Sequence, residues 1–401
     1  MRCPIDIYKM IYLDNSATTK QYPQVTEMMV RCMEEDFGNP SSLYQLGVDS
    51  EKILKAARKN IEQEAAGHRA VFTSGGTESD NTAILGAAKA LHREGNRIIT
   101  TAVEHPAVLE CMKRLEAEGF DIIRIGVDEK CRLDMDQLEA AIDEKTILVS
   151  IMQVNNEVGT VMPVEKIKGI MKQKHAPGLF HCDAVQSFGK MTLPQDADLI
   201  AMSGHKIYGP KGSGALLIRN GKTPSGKKID IPPFIMGGGQ EAGYRSGTEN
   251  VAAFAGLGVA AELMRKSREK EMARLGQLRE FLRKALTDAL EDVRINSVEE
   301  IGTEAGICCP TILSVSFGGT RGEVLLHTLE QDSVYVSTGS ACSSNKKGQS
   351  HVLGAMGLTD REIEGTIRFS LGRYNTQEDI EFAAEKTIAA VKRFRKLGSF
   401  R

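Results

Sequence analysis

The chain has 401 residues, of which 41% are hydrophobic and 26% are charged. These proportions are typical of globular proteins and exclude disorder driven by charge. The 51 basic and 53 acidic residues leave a formal net charge of −2, and aromatic residues make up only 5% with no tryptophan. A direct nucleic-acid partner and binding to an anionic membrane surface are therefore disfavoured.

Insertion into a membrane and export are also disfavoured. The longest apolar run, Val251–Ala261, is far shorter than the roughly 20 residues that span a bilayer. Residues 1–9 carry charges at Arg2, Asp6 and Lys9 and lack the apolar core of a signal peptide. The eight cysteines include no Cys-x-x-Cys pair, so we expect free thiols in a reducing compartment. The sequence predicts a cytoplasmic protein.

Strand-like and helix-like segments alternate from about residue 70 to residue 220. Apolar residues recur with helical spacing over 84–95 and over 106–118. Between and after these helices the sequence predicts short strands at 71–73, 97–101, 121–125, 147–152, 179–182, 199–202 and 215–218. Repeated strand–helix units predict an α/β fold, with a mostly parallel sheet sandwiched by helices.

The pattern changes in the last third of the chain. A long helix is predicted over 250–290, with an interruption near Ser267. Shorter elements follow, with strands at 293–296, 313–317, 334–337 and 367–371 and a final helix at 376–397. We therefore predict a large domain over 15–260 and a smaller α+β domain over 261–401. Residues 1–14 form an N-terminal segment that packs with the small domain.

The strongest local signal for chemistry is Ser203–Gly212, which follows the predicted strand at 199–202. A lysine in a loop shaped by glycine and proline at the end of a strand loses water, so its pKa falls. Such an amine can form a Schiff base with a carbonyl cofactor, and Lys206 holds this position. A surface turn with a solvated lysine is the alternative interpretation.

A second signal, His181–Gln186, ends another predicted strand. Side chains alternate along a strand, so His181 and Asp183 share one face and Cys182 points the other way. That arrangement disfavours a metal site with three ligands. An inward carboxylate at this place can pair with the protonated ring nitrogen of pyridoxal phosphate. A purely structural aspartate is the other interpretation.

The third signal, Thr73–Asn81, combines a strand, a glycine turn and the start of a helix. Backbone N–H groups at a helix N-terminus, joined by hydroxyls, bind phosphate, although an ordinary helix cap has the same pattern. Polar residues follow two further strands, at Glu104–Pro106 and Asn155–Gly159. Open α/β sheets bind ligands where the carboxyl ends of their strands meet, so five such groups favour one shared site.

Together these segments resemble the cysteine desulfurases of the NifS/IscS type, in the class V aminotransferase group of fold-type I pyridoxal phosphate enzymes. The resemblance runs from about Tyr12 to Arg373, on the motifs G-G-T-E-S-D-N, E-H-P, N-N-E-V-G, H-C-D-A-V-Q, S-G-H-K-I-Y-G-P-K-G, R-S-G-T-E-N and G-S-A-C-S-S. It implies removal of sulfur from L-cysteine, which leaves L-alanine and an enzyme persulfide. The persulfide would pass to an acceptor protein for iron–sulfur cluster, other cofactor or tRNA biosynthesis.

The resemblance also implies a role for each matching residue. Lys206 would hold pyridoxal phosphate as a Schiff base and move protons, Asp183 would pair with the ring nitrogen, and Arg368 would clamp the substrate carboxylate. The other implied contacts are His105 stacked on the ring, Gln186 and Asn156 near its phenolic oxygen, with Asn156 also near the substrate, and Gly76, Thr77, Ser203 and His205 at the phosphate. Thr248 would reach the phosphate from the other subunit of a homodimer.

By the same resemblance, Cys342 is the catalytic nucleophile that becomes the persulfide. An exposed cysteine near cationic groups such as Lys346 and Lys347 has more thiolate than a buried one. No resident metal is expected, although Cys342 could ligate an iron–sulfur cluster transiently.

Three positions depart from the family pattern. Tyr44 stands where histidine is usual, Ala242 where arginine is usual, and Gln349 where proline is common. None belongs to the cofactor set, so the departures bear on loop docking and on the choice of partner.

Two alternatives remain at this point. One is a related pyridoxal phosphate lyase or transaminase acting on another small amino acid such as selenocysteine, and Cys342 argues against a transaminase. The other is a non-catalytic assembly or metal-binding partner that uses His181, Cys182, Cys308 and Cys309.

Overall fold

The structure, a computed structural model, describes residues 10–224, 226, 228–338 and 349–398. The α-helices of this part are α1 (Pro23–Glu34), α2 (Gln45–Glu62), α3 (Gly76–Leu91), α4 (Pro106–Ala117), α5 (Met135–Ala141), α6 (Ile167–Gln173), α7 (Val251–Ala289), α8 (Gly322–Gln331), α9 (His351–Ala355), α10 (Asp360–Glu364) and α11 (Gln377–Leu397). The strands are β1 (Ile11–Tyr12), β2 (His68–Thr73), β3 (Arg97–Thr101), β4 (Asp121–Ile125), β5 (Thr146–Met152), β6 (Leu179–Asp183), β7 (Leu199–Ser203), β8 (Gly214–Arg219), β9 (Val293–Ile295), β10 (Ile312–Phe317), β11 (Val334–Tyr335) and β12 (Thr366–Ser370).

A seven-stranded sheet in the order β2-β8-β7-β6-β5-β3-β4 forms the centre of the molecule. β8 runs antiparallel to both of its neighbours, and the other pairings are parallel. Neighbouring residues of one strand belong to different hydrophobic clusters. Leu148 lies in the cluster that includes buried residues of α3 and α4, whereas Val149 lies in the cluster that includes buried residues of α1, α2 and α7. Helices thus cover both faces, and the predicted α/β fold is confirmed.

The register of the sheet brings three strand ends together. Met152 at the end of β5 lies beside Asp183 at the end of β6, and Asp183 lies beside Ala201 of β7. All residues of these three strands are buried, which explains their nearly continuous apolar sequences. The loops that follow them therefore emerge at one edge of the sheet.

The C-terminal part is built on a second sheet, in which β10 pairs antiparallel with β9 and β12. Its hydrophobic cluster includes buried residues of α8, α11 and the second half of α7. The first half of α7 belongs instead to the hydrophobic cluster on one face of the large sheet. The domain boundary at 260/261 falls inside α7 and stays a prediction.

The predicted interruption of the long helix near Ser267 is wrong, because α7 runs without a break from Val251 to Ala289. The Ser267 hydroxyl donates to the carbonyl oxygen of Leu263, one turn earlier, at 2.9 Å. This local bond satisfies the hydroxyl inside the helix.

The first described residues join the C-terminal part. β1 pairs parallel with β11, and Asp14 bridges to Ser370. This pairing places Asp14 beside β12. None of the described helices combines the length and apolarity that a bilayer crossing requires.

Candidate active site

A cavity of about 250 Å³ lies at the edge of the large sheet where β5, β6 and β7 end, next to the N-terminus of α3. Ten residues identified from the sequence line it: Gly76, Thr77, His105, Asn156, Asp183, Gln186, Ser203, His205, Lys206 and Arg368. The fold thus brings together side chains from distant parts of the chain.

Two predicted residues stand apart from this set. Thr248 is exposed and does not line the cavity of its own chain. Cys342 lies outside the described residues, as do Lys346 and Lys347.

Lys206 reaches the cavity from a short turn, Gly204–Lys206, directly after β7. A Cβ atom on Gly204 would lie 2.4 Å from Ser213 Oγ, so this tight turn requires glycine. Lys206 Nζ donates to the carbonyl oxygens of Ser16 at 2.5 Å and Ala17 at 2.8 Å. These bonds hold the amine beside the cavity, which contradicts the alternative of a solvated surface lysine.

Asp183 supplies a buried carboxylate at the end of β6. Its Oδ1 accepts a hydrogen bond from Val185 N at 2.9 Å. Burial raises the pKa of Asp183 to about 6, while this bond and the charge of Lys206 oppose the rise. A cationic group bound against Asp183 would favour its ionised form further.

His105 presents a neutral ring to the cavity. It caps α4, and its Nδ1 accepts from Ala107 N at 3.1 Å, which assigns the proton of the neutral ring to Nε2. Burial, followed by the charges of Lys206 and His351, lowers the pKa of His105 to about 4. Burial and Lys206 likewise lower the pKa of His205 to about 4.

The start of α3 forms an anion cradle. Gly75, at its N-cap, has φ 153°, a conformation that favours glycine, and provides no capping side chain. The first amides of the helix are therefore available to an anion. Gly76 packs against Val185, whose Cγ2 would lie 2.7 Å from an added Cβ atom. Hydroxyl-bearing Thr77 and Ser203 line the same cavity.

Arg368, on β12, is buried and held at both ends of its guanidinium group. Nη1 donates to the carbonyl oxygen of Asn156 at 2.9 Å, and Nη2 donates to Asp14 Oδ1 at 2.7 Å. Its Nε is buried and has no hydrogen-bond partner among the described residues. The group is therefore fixed and still has a donor for a bound anion.

Three polar groups that line the cavity were not identified as site residues from the sequence. The carbonyl groups of Ser16 and Ala17 act through the backbone, so no side-chain pattern reveals them. Asp80 lines the cavity, and burial, followed by Asp183 and Glu104, raises its pKa well above the usual value. Asp80 lies four residues after Gly76 on the same helix, so the two share a helix face. That spacing was the sequence signal that could have identified Asp80.

Glu104 was noted in the sequence only as part of the motif Glu104–Pro106. In the structure it links the ends of β3 and β5. Its carboxylate accepts from Met152 N at 3.0 and 3.1 Å and from Thr101 Oγ1 at 2.8 Å. Burial raises the pKa of Glu104 to about 8.

The residues of the metal-binding alternative are engaged in other contacts. His181 Nδ1 lies 2.9 Å from Ser150 Oγ, its Nε2 lies 3.4 Å from Asp80 Oδ1, and burial lowers its pKa to about 3. Cys182 packs into the hydrophobic cluster on the face of the sheet opposite to His181. Within the described ranges, no three His, Cys, Asp or Glu side chains are grouped to hold a metal ion.

Comparisons with known proteins show similarity over nearly the whole chain. Residues 11–382 match the family described as Aminotransferase class-V. The chain is 40% identical over 394 residues to "Cysteine desulfurase IscS" of Clostridium botulinum (strain Hall), covering 97% of this chain and 96% of that protein. It is 42% identical over 395 residues to the protein of that name in Klebsiella pneumoniae, covering 96% and 94%.

Two solved structures are also similar. One, described as a "NIFS-LIKE PROTEIN", has a TM-score of 0.86 at 36% identity and covers 96% of this chain and 99% of its own. The other, "SspA in complex with cysteine", has a TM-score of 0.76 at 33% identity and covers 91% and 99%.

Proposed function

The chain belongs to the aminotransferase class-V family and is a cysteine desulfurase, and we propose that its cavity binds pyridoxal phosphate and L-cysteine. In the overall reaction, L-cysteine and the thiol of Cys342 give L-alanine and a persulfide on Cys342. The carbon–sulfur bond of the substrate breaks, a proton is added to that carbon, and the sulfur atom bonds to the enzyme sulfur. The observation that carries the proposal is one small cavity lined by Lys206, Asp183 and Arg368.

The residues present fit this cofactor. The uncapped N-terminus of α3 with Thr77 and Ser203 would bind the phosphate, and Asp183 would face the ring nitrogen. The neutral ring of His105 suits stacking on a flat heterocycle. When bound, pyridoxal phosphate supplies an electron sink that stabilises negative charge at the substrate α-carbon.

Lys206 would bind the cofactor covalently and then move protons. Its Nζ is held by the carbonyl groups of Ser16 and Ala17, so the amine is oriented before any ligand arrives. After its release by the substrate amine, the same nitrogen would take the proton from the substrate α-carbon.

The cradle can be tested by replacing Gly76 with alanine. The added methyl group would meet Val185 Cγ2 at 2.7 Å, so either the helix start or Val185 must move. Overpacking of this kind costs roughly 1–3 kcal/mol, so we expect pyridoxal phosphate to bind about 10- to 100-fold more weakly to the apoprotein. A fluorescence titration measures this affinity.

Gly169→Ala is the matched control, because nothing lies within 4 Å of an added Cβ atom on that helical glycine. It should leave cofactor affinity unchanged. Equal affinities for Gly76→Ala and Gly169→Ala would contradict the phosphate cradle.

Arg368 would bind the carboxylate of L-cysteine, with Asn156 beside it. Asp14 and the Asn156 carbonyl group fix the guanidinium plane, and these two bonds leave the group with further N–H donors for the substrate. The solved complex of the similar protein SspA with cysteine supports a cavity of this kind as an amino-acid site.

Replacing Arg368 with lysine keeps the charge and removes the planar fork. We expect KM for L-cysteine to rise roughly 10- to 100-fold with a much smaller change in kcat, because a point charge does not reproduce the bidentate contact. Steady-state kinetics measure both constants. Arg294→Lys, in the same three-stranded sheet but paired with Glu362, is the control that should keep the parent KM. An unchanged KM for Arg368→Lys would reject the carboxylate role.

Cys342 lies outside the described residues, but one flank of its segment bonds to Arg368 of the cavity and the other bonds to residues next to cavity-lining Asn156 and His105. Ser337 and Arg368 exchange backbone hydrogen bonds at 3.2 and 2.7 Å. On the other side, the Ser350 hydroxyl donates to Glu157, and His351 Nε2 lies 2.9 Å from the Glu104 carbonyl oxygen. These anchors support Cys342 as the thiol that serves this cavity.

The protein is proposed to act as a cytoplasmic homodimer that transfers sulfur to an acceptor protein for iron–sulfur cluster, other cofactor or tRNA biosynthesis. Thr248 is exposed on its own chain, which supports a contact with the phosphate site of a second copy. The buried free thiols at Cys32, Cys111 and Cys131 support a reducing compartment. Sedimentation equilibrium tests the dimer.

One mixing experiment tests the proposed chemistry. Purified protein is reconstituted with pyridoxal phosphate, its visible spectrum is recorded, and L-cysteine is added with a thiol reductant. We expect a yellow protein that releases alanine and sulfide in equal amounts, and no alanine from L-serine as the control substrate. A yellow protein that forms no sulfide would contradict the substrate, and a protein that binds no pyridoxal phosphate would contradict the cofactor.

A further inference from the structure

The side-chain amide of Gln186 faces the cavity and is fixed by two partners. Its Nε2 donates to the carbonyl oxygen of Ser16 at 3.0 Å, and its Oε1 accepts from Lys190 Nζ at 3.5 Å. An ammonium group only donates and a carbonyl oxygen only accepts. These two partners therefore permit one orientation of the amide and oppose its reversal.

The orientation places the amide nitrogen on the side of Lys206. The same Ser16 oxygen accepts from Gln186 Nε2 and from Lys206 Nζ, so the two nitrogens share one acceptor at the cavity wall. An amide nitrogen carries two protons, and the Ser16 bond uses one of them. The second remains for a bound ligand.

Lys190 is a buried lysine in an apolar environment. It is 6% exposed, and burial lowers its pKa. Met191, the next residue in the chain, lies in a hydrophobic cluster together with Cys309. Within the described part of the chain, no carboxylate forms an ion pair with Lys190. Burying a lysine without an acid is costly, and such a residue calls for a reason beyond packing.

We propose that Lys190 is a positioning residue that holds the Gln186 amide with its N–H group toward the cavity, as a donor to an anionic ring oxygen of the bound cofactor. This inference rests on the proposed function, because it assigns a partner to a cofactor contact. A reversed amide would place an oxygen against the anionic oxygen, and the two would repel each other. Lys190 prevents that reversal without touching the ligand.

The expected consequence is spectroscopic. A hydrogen-bond donor at the ring oxygen favours the form of the bound cofactor that has lost its proton. The donor therefore lowers the pKa that is read from the visible absorption of the holoprotein. Loss of one charge-assisted hydrogen bond should raise that pKa by about one unit.

The experiment is a double-mutant cycle on reconstituted protein, with Lys190→Met, Gln186→Leu and both together. Lys190→Met should raise the spectroscopic pKa by about one unit where Gln186 is present and leave it unchanged in the Gln186→Leu background. The other titratable groups that line the cavity stay the same in every variant: Asp80, His105, Asp183, His205, Lys206 and Arg368.

Lys168→Met is the matched control. Lys168 is also largely buried, but it pairs with Asp198 at 2.6 Å and does not line the cavity. Its replacement should lower the melting temperature and leave the spectroscopic pKa at the parent value. Lys190→Arg keeps a cationic donor and should retain most of the parent pKa.

If Lys190→Met does not fold, Lys190→Gln provides the same test. A neutral amide at this position can donate or accept, so it no longer fixes Gln186, and the spectroscopic pKa should still rise. A coloured parent protein with no rise in either variant, or an equal rise for Lys190→Met in both backgrounds, would overturn the role of Lys190. A parent protein that takes up no visible cofactor would instead overturn the proposed function, and this inference with it.

Discussion

Replacing Lys206 with alanine is expected to abolish turnover of L-cysteine and the visible absorption of lysine-bound pyridoxal phosphate. The two functions proposed for Lys206 are lost together, the covalent attachment of the cofactor and the transfer of a proton from the substrate α-carbon. General acid–base catalysis alone contributes about 10²- to 10⁴-fold, so we expect a fall in kcat of at least about 10³-fold. Alanine formation measures the rate, and an absorption spectrum measures attachment.

Lys211 offers a matched control from the same loop, because it is exposed and does not line the cavity. Lys211→Ala should keep the parent spectrum and rate. Removal of the Lys206 amine leaves the carbonyl groups of Ser16 and Ala17 without this donor, so circular dichroism must show that the variant is folded. A folded Lys206→Ala protein with parental activity would disprove the assignment of the base.

The large sheet could be predicted from the sequence because its central strands are buried on both faces. Every residue of β5 is buried, and the apolar run that this requires is visible in the chain. α1 and α2 were not predicted, since each buries only a narrow face; in α1 the buried residues are Val25 and Cys32. With so few apolar positions, the periodicity does not show whether the segment is a helix or a strand.

The long helix shows a different limit of sequence reasoning. Ser267 is a weak helix former, and its polar surroundings indicate a break. The structure instead packs the first half of α7 into the large sheet and the second half into the C-terminal cluster. Tertiary packing on both sides of Ser267 outweighs the local preference.

The candidate site could be predicted where function depends on side chains at strand ends. Lys206 and Asp183 follow two buried strands, and the parallel register brings those ends together. The sequence could not reveal that Ser16 contributes its backbone oxygen, because a carbonyl group is common to all residues. It also could not show that Asp14 holds Arg368, since that contact spans most of the chain.

The electrostatics of the cavity follow from burial more than from ion pairs. Burial raises the pKa of Asp183 to about 6 and of Glu104 to about 8, and lowers that of His105 to about 4. At neutral pH His105 is therefore neutral and Glu104 is largely protonated. Neither of these two groups then carries a charge close to the ionised Asp183. A single carboxylate of this kind is suited to hold a proton on a ring nitrogen.

Replacing Cys342 with alanine is expected to separate binding from sulfur transfer. The variant should keep the visible spectrum of the cofactor and its change on addition of L-cysteine, because the contacts proposed for cofactor and substrate come from the described residues that line the cavity. Persulfide formation should fall by at least about 10²-fold, since none of the described thiols lines the cavity and all of them are buried. Mass spectrometry of the alkylated protein detects the persulfide.

Cys308→Ser is the control for this test. Cys308 is buried, burial raises its pKa to about 11, and its thiol lies 3.5 Å from the carbonyl oxygens of Val158 and Ile312. A thiol with so little thiolate is a poor nucleophile, so its loss should leave persulfide formation unchanged. If Cys342→Ala forms persulfide at the parent rate, the nucleophile is misassigned. Loss of persulfide in Cys308→Ser at the same time would assign that role to Cys308.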